Sequence, residues 1–143
     1  MLINGYLDYT FRKSSNSPEI ISFEKNVNKL KRIQKRASDL GIMLREGIYT
    51  WSMGPSYETP AEIQDIISLG GNAVGMSTVP EMMKTQELGI DIIGISCLTN
   101  YGAGIKREKL SHEDVLEISH HVKTKFSRIL IEIVMIEPDL NGR

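Results

Sequence analysis

Three short polar segments of this 143-residue chain carry side chains that could bind a heterocycle beside an anion. These segments span residues 54–58, 75–78 and 96–100. They offer an aromatic ring at Tyr57, a carboxylate at Glu58, several hydroxyl groups and the amide of Asn100. Each segment follows an apolar run that is typical of a strand. Because ligands of open α/β sheets bind beyond the carboxyl ends of the strands, we expect the three segments to converge on one pocket.

The elements that would position these segments alternate between helix and strand. Apolar residues at three- and four-residue steps predict a helix over 19–40, and strands are expected over 42–53, 73–76 and 90–98. The pair Leu-Gly ends each of three expected helices, at 40–41, 69–70 and 88–89. This alternation predicts an α/β fold with a largely parallel or mixed sheet flanked by helices.

Three further helices have recognisable starts. Thr59 is followed by Pro60 and Glu62, which together form the pattern of a capping box. Thr78 is expected to cap the next helix, and Ser111 a long amphipathic one.

The expected organisation is one domain with a short segment at each end. Residues 1–18 follow neither the helical nor the strand period, so we expect an irregular leading segment. Residues 19–137 form the expected domain. Pro138 should end the last helix, which leaves 138–143 as a polar tail.

Composition excludes several classes of protein. The chain has 17 Lys+Arg and 18 Asp+Glu residues and a net charge of −1, without the basic excess that binds nucleic acid or an anionic membrane. No uninterrupted apolar run approaches the roughly 20 residues of a membrane span. The single cysteine, Cys97, is expected to be an inert core thiol in a reducing compartment, so we expect a cytoplasmic protein.

The segments GPSYETPAEI, NAVGMSTVPE and GISCLTNYGAGI, followed by LSHEDV, resemble the trimeric purine nucleoside phosphorylases and the methylthioadenosine phosphorylases related to them. The resemblance runs from about Arg45 to about Val134 and implies the carboxyl-terminal part of a nucleoside phosphorylase domain. The reaction it implies is attack of phosphate on a purine nucleoside, which gives free base and ribose 1-phosphate. It also implies a homotrimer, with phosphate as co-substrate and with neither a cofactor nor a metal.

The first two segments would form the base pocket by resemblance. Tyr57 would stack on the base, and Glu58 would accept the proton of purine N1; the alternatives are an aromatic that packs on the sheet and a solvated first-turn acid. Val74 and Met76 would line the base and ribose pockets, or would be ordinary core or gap-filling side chains. Ser77 would bind phosphate at a helix start, or would be a simple cap.

The third segment and the last helix supply the other residues implied by the resemblance. Asn100 would be catalytic with Glu58, because its amide can bind N7 and the 6-oxo edge as the base departs. An aspartate there would favour 6-aminopurines, so Asn100 indicates inosine and guanosine. Thr99 would line the same pocket, or bond its own backbone. His112 would reach the ribose 5′-hydroxyl, or be a surface histidine.

The resemblance also shows which parts of such an enzyme the sequence lacks. A glycine-rich phosphate loop and an Arg-x-His segment, which supply most of the phosphate charge in the family, are missing from these residues. Two hypotheses follow. The chain is part of a phosphorylase whose amino-terminal half lies elsewhere, and is inactive alone; or it is a non-catalytic remnant or interaction module that keeps the purine-side fold.

Overall fold

A computed structural model describes residues 1–10, 18–23, 27–106 and 112–140. The chain divides into two compact units. The sheet unit comprises Met1–Phe23 and Glu46–Leu110, and the helical unit comprises Glu24–Arg45 and Ser111–Arg143. Among the described residues the elements are, in chain order, β1 (Leu2–Asp8), β2 (Ile20–Ser22), α1 (Val27–Asp39), β3 (Glu46–Trp51), α2 (Pro60–Ser68), β4 (Ala73–Gly75), α3 (Val79–Glu87), β5 (Gly94–Ile95) and α4 (His112–Leu140).

The strands form one mixed sheet, which confirms the expected fold class. The strand order is β2-β1-β3-β4, and β5 also pairs with β1. Strands β1, β3 and β4 are mutually parallel, whereas β2 and β5 run antiparallel to β1. The register pairs Asp8 with Trp51 and Trp51 with Gly75. The carboxyl ends of β1, β3 and β4 therefore meet at one edge of the sheet, which we call the carboxyl edge.

The expectation of an irregular leading segment is wrong for residues 2–8. These residues form β1, which lies at the centre of the sheet and pairs with three other strands. Leu2, Ile3, Tyr6 and Leu7 are all buried, so both faces of the strand are covered. At Gly5 a Cβ would lie 2.5 Å from the carbonyl oxygen of Ile21, so the close approach of β2 requires glycine there.

Other element bounds also differ from those expected, and the strand expected over 42–53 spans only Glu46–Trp51. Residues Ile20–Ser22 form β2 instead of the start of a helix, and α1 begins at Val27. The centre of the Phe23 ring lies 5.9 Å from that of the Tyr6 ring. Phe23 fits the helical period of the sequence, but its side chain packs against the sheet. The strand expected over 90–98 is confined to Gly94–Ile95.

The start of α2 is the capping box expected from the sequence. Thr59 Oγ1 accepts a hydrogen bond from the backbone N of Glu62 at 3.3 Å, and the backbone N of Thr59 donates to Glu62 Oε2 at 2.7 Å. The bond from the Thr59 backbone N, and then a second bond in which Thr59 Oγ1 donates to Glu62 Oε2 at 2.8 Å, lower the pKa of Glu62. The box fixes the direction in which α2 leaves the carboxyl edge.

Thr59→Ala is expected to reduce the free energy of unfolding by about 1 kcal/mol, because it removes the side-chain cap of α2. Because the pKa of Glu62 is lowered in the folded protein, its carboxylate stabilises the fold at pH values above the ordinary carboxyl pKa. This stabilisation is lost as the pH falls through the lowered pKa. The difference in the free energy of unfolding between the parent and Thr59→Ala should therefore become smaller in acid. Urea unfolding at neutral and acidic pH, with Ser68→Ala as a control in the same helix, measures this. An equal difference at both pH values would contradict it.

The other two expected caps have different outcomes. Thr78 adopts a φ of 76°, and in the described part of the chain its side chain makes no capping bond to α3. Its Oγ1 instead lies 3.1 Å from Ser77 Oγ, so the prediction that Thr78 caps α3 is wrong. Ser111 lies outside the described residues.

The helical unit consists of α1 packed against α4. Among the described side chains of this unit, the buried apolar ones are Ile33, Ala37, Ile129 and Ile133, and Arg36 Nε lies 3.7 Å from Glu132 Oε2. No helix in the described ranges combines the length and the apolar character needed to cross a membrane.

Helix α4 also corrects the expected tail. It includes Pro138 and reaches Leu140, so the helix does not end at the proline. A proline removes one backbone donor, and the loss of one hydrogen bond close to the helix end does not terminate α4.

Candidate functional site

The segments 52–58 and 75–78 leave the sheet together at the carboxyl edge. Because β3 and β4 are parallel, the segments that follow them both emerge at the carboxyl edge. The backbone N of Ser52 donates to the carbonyl oxygen of Gly75 at 3.0 Å, which extends the pairing by one residue. A Cβ on Gly54 would lie 2.7 Å from Met76 Sδ, so the glycine lets the Met76 side chain lie against the loop. The structure thus brings two of the three polar segments together.

Glu58 is held at this edge by a buried side chain. Ser52 is 5% exposed, and its hydroxyl donates a hydrogen bond to Glu58 Oε1. Glu58 is half-buried and immediately precedes Thr59, the cap of α2. The positive end of the helix dipole favours a carboxylate at this position. The carboxylate is therefore fixed at the sheet edge, unlike a solvated acid on a helix surface.

Other side chains at the carboxyl edge are accessible to a ligand. Tyr57 is 47% exposed and Met76 is 39% exposed, and Ser77 is also exposed at the start of α3. Val74 is half-buried in β4, opposite Thr50 of β3. The edge therefore presents an aromatic ring, a thioether, a hydroxyl and a carboxylate, which together suit a heterocycle beside an anion.

The third polar segment does not leave the sheet where we expected. Strand β5 is antiparallel to β1, so the chain after Ile95 departs at the opposite edge, where the backbone N of Ser96 donates to the carbonyl oxygen of Met1 at 2.8 Å. The chain then returns, and Gly104 packs against Pro60 at the start of α2. The expected convergence of three parallel strand ends is wrong, because a local apolar run does not encode the direction of pairing.

The polar atoms of Asn100 are bonded to immediate neighbours. Thr99 Oγ1 donates to Asn100 Oδ1 at 2.7 Å, and Asn100 Nδ2 donates to the carbonyl oxygen of Tyr101 at 3.0 Å. Asn100 is exposed and Thr99 is half-buried. The structure joins these two residues to each other, and their roles toward a ligand stay predictions.

His112 begins α4 in the helical unit. Its side chain is outside the described part of the chain, so its role toward ribose stays a prediction. Cys97 is exposed, which corrects the expectation of a core thiol, because β5 ends before this residue.

Sequence reasoning missed two features of the carboxyl edge. Ser52 looked like an ordinary residue after a strand, and only its contact with Glu58 distinguishes it. Tyr9 follows β1, and its hydroxyl donates to Asp65 Oδ2 at 2.7 Å, which ties the end of β1 to α2. Burial, and then the bond to Asp65, raises the pKa of Tyr9 to about 12. No local pattern in the sequence marks Tyr9, because its partner Asp65 lies 56 residues away in the chain.

Comparison with known proteins agrees with the geometry of the fold. The chain is similar to purine nucleoside phosphorylase 1 of Geobacillus stearothermophilus, with 48% identity over 98 residues that cover 68% of this chain and 36% of the relative. It is also similar to a protein named probable 6-oxopurine nucleoside phosphorylase of Moorella thermoacetica, with 48% identity over 83 residues, or 57% and 32% of the two chains. The chain therefore spans about a third of the length of these relatives.

A solved structure shows the same fold. The purine nucleoside phosphorylase of Schistosoma mansoni in complex with adenosine matches with a TM-score of 0.75 at 22% identity, over 93% of this chain and 53% of that one. The sequence pattern of the phosphorylase superfamily matches residues 7–135. These matches confirm the resemblance to part of a nucleoside phosphorylase, and the chain belongs to the phosphorylase superfamily.

Proposed function

We propose that this chain is the purine-binding part of a purine nucleoside phosphorylase that acts on inosine and guanosine. The observation that carries the proposal is the Glu58 carboxylate, which is held by Ser52 at the same sheet edge as Met76 and Ser77. In the complete enzyme phosphate attacks the anomeric carbon of the nucleoside, and the bond from that carbon to the base breaks. The products are free base and ribose 1-phosphate.

The base would bind between the two segments at the carboxyl edge. Tyr57 offers a partly exposed ring for stacking, and Val74 and Met76 offer apolar contact. Glu58 accepts the N1–H that hypoxanthine and guanine carry. An ionised carboxylate only accepts hydrogen bonds, so it pairs poorly with adenine N1, which is itself an acceptor.

Phosphate would bind at the start of α3, as co-substrate and without another cofactor or a metal. The hydroxyls of Ser77 and Thr78 lie 3.1 Å apart there, and the dipole of α3 favours an anion at this end. Binding at one helix terminus is weak, so the main phosphate ligands are proposed to come from an amino-terminal half outside these residues.

Asn100, Thr99 and His112 would complete the site. The Asn100 amide would exchange its bond to Tyr101 for purine N7 and the 6-oxo edge, where it stabilises the charge that develops on the departing base. Thr99 would hold that amide through the bond it already makes. His112 would bind the ribose 5′-hydroxyl.

The protein is proposed to act in the cytoplasm, as a homotrimer in the complete enzyme or with a separately supplied amino-terminal half. A second candidate is a non-catalytic module that keeps purine binding alone. The observation that favours it is the start of α3, where the described residues place two hydroxyls and one helix end, which is a weak anion site on its own. Purine binding is common to both candidates, and phosphate-dependent turnover separates them.

Asn100→Asp is expected to shift the binding preference of the chain from hypoxanthine toward adenine by about tenfold, since one mispaired polar group in a dry pocket costs about 1–3 kcal/mol. An aspartate accepts from the 6-amino group and cannot donate to N7. Calorimetric titration with both bases measures the preference, with Asn72→Asp as a control on the exposed turn before β4. The same ratio of affinities before and after the Asn100 change would contradict the proposed role.

A further inference from the structure

Ser52 occupies a structurally constrained position directly after β3. Its side chain is buried, and a buried hydroxyl normally has a hydrogen-bond partner. That partner is Glu58 Oε1, while the backbone N of Ser52 donates to Gly75. One residue therefore connects the Glu58 carboxylate to the paired ends of β3 and β4.

This connection limits the orientations that Glu58 can take. Glu58 lies in the loop between β3 and α2, and a glutamate side chain in a loop can rotate about three bonds. A hydrogen bond from the buried hydroxyl fixes Oε1 against the sheet. Bonds to an ionised acceptor are shorter and stronger than neutral ones, so the contact can hold the carboxylate in one orientation. This contact leaves Oε2 as the carboxylate oxygen available to a ligand.

We propose that Ser52 is a positioning residue that orients Glu58 toward purine N1–H and so strengthens the preference for 6-oxopurines over 6-aminopurines. The inference rests on the proposed function of Glu58. Ser52 does not contact the base in this account. It acts through Glu58, by presenting one carboxylate oxygen as an acceptor at a fixed place.

The test compares three variants by calorimetric titration with hypoxanthine and with adenine. Ser52→Ala should weaken hypoxanthine binding about tenfold and leave adenine binding unchanged, because it removes a hydrogen bond to a charged group and part of that loss is recovered when Glu58 reorients. Ser52→Thr, which keeps the hydroxyl, should restore the affinity for hypoxanthine to within about threefold. Ser68→Ala removes a hydroxyl that donates to Asp65 at 2.8 Å in α2, and should change neither affinity.

Three results would overturn the inference. They are unchanged hypoxanthine affinity in Ser52→Ala, an equal loss for both bases, and a loss that Ser52→Thr does not restore. If Ser52→Ala does not fold, Ser52→Cys carries the same expectation, because it keeps the side-chain size and replaces the hydroxyl by a weak donor.

A second measurement separates the role of Ser52 from the proposed function. The ¹³C resonance of the Glu58 carboxyl is recorded without ligand in the parent chain, in Ser52→Ala and in Ser68→Ala. We expect it to move only in Ser52→Ala. A resonance that does not move contradicts the positioning role whatever the ligand does. A resonance that moves in a chain that fails to bind hypoxanthine instead contradicts the proposed function.

Discussion

Glu58→Ala is expected to weaken hypoxanthine binding by about a hundredfold, the upper end of the 1.5–3 kcal/mol range for a hydrogen bond to a charged group. The substitution removes the acceptor of the purine N1–H. It also leaves the buried Ser52 hydroxyl without its partner, which disturbs the edge against which the base would lie. Calorimetric titration of the 143-residue chain with hypoxanthine measures the loss.

The matched control for this prediction is Glu81→Ala. Glu81 is an exposed acid in the first turn of α3, so the substitution makes the same change of charge close to a helix start. We expect this variant to bind hypoxanthine as the parent does. Equal affinities in the parent and Glu58→Ala, or equal losses in both variants, would show that Glu58 does not bind the base.

The chain alone is expected to release no measurable hypoxanthine from inosine, even with phosphate present. Positioning two reactants lowers a barrier by roughly 7–11 kcal/mol, which corresponds to a rate factor of about 10⁵ or more, and a half-formed phosphate site forfeits this gain. Ser77 and one helix end supply only weak attraction for the anion. A coupled assay for hypoxanthine, with and without phosphate, on a monodisperse sample tests this.

Phosphate-dependent turnover by the chain alone would contradict this account. A basic side chain of the chain itself would then have to supply the missing charge. Lys106 is the residue to test first, since its Nζ lies 4.0 Å from the centre of the Tyr101 ring in the segment that returns toward α2. Lys106→Ala would abolish such turnover if this side chain binds the phosphate.

Features that depend on neighbouring residues could be predicted from the sequence. The capping box of Thr59 and Glu62 is encoded within four residues, and its bonds form as expected. The alternation of apolar runs and helix ends likewise gave the α/β class. The site segments 54–58 and 75–78 followed from this alternation, because the parallel strands before them end at the same edge.

Features that depend on distant pairing could not be predicted. The apolar run of β1 contains Asn4 and Gly5, which break the strand pattern, and its central place is set by contacts with β2, β3 and β5. The direction of β5 is decided by its pairing with Leu2 and Ile3, more than 90 residues away in the chain. The contact between Ser52 and Glu58 was hidden for a different reason, because two residues six positions apart in a loop follow no sequence period.

Backbone amide shifts measured during a hypoxanthine titration locate the place where a 6-oxopurine binds. We expect the largest shifts in residues 52–58 and 75–78, with a smaller response near Asn100, and no comparable change in the parent titrated with uracil. Shifts confined to the helical unit, or a chain that gives no response at saturating hypoxanthine, would contradict the assignment of the carboxyl edge as the purine site.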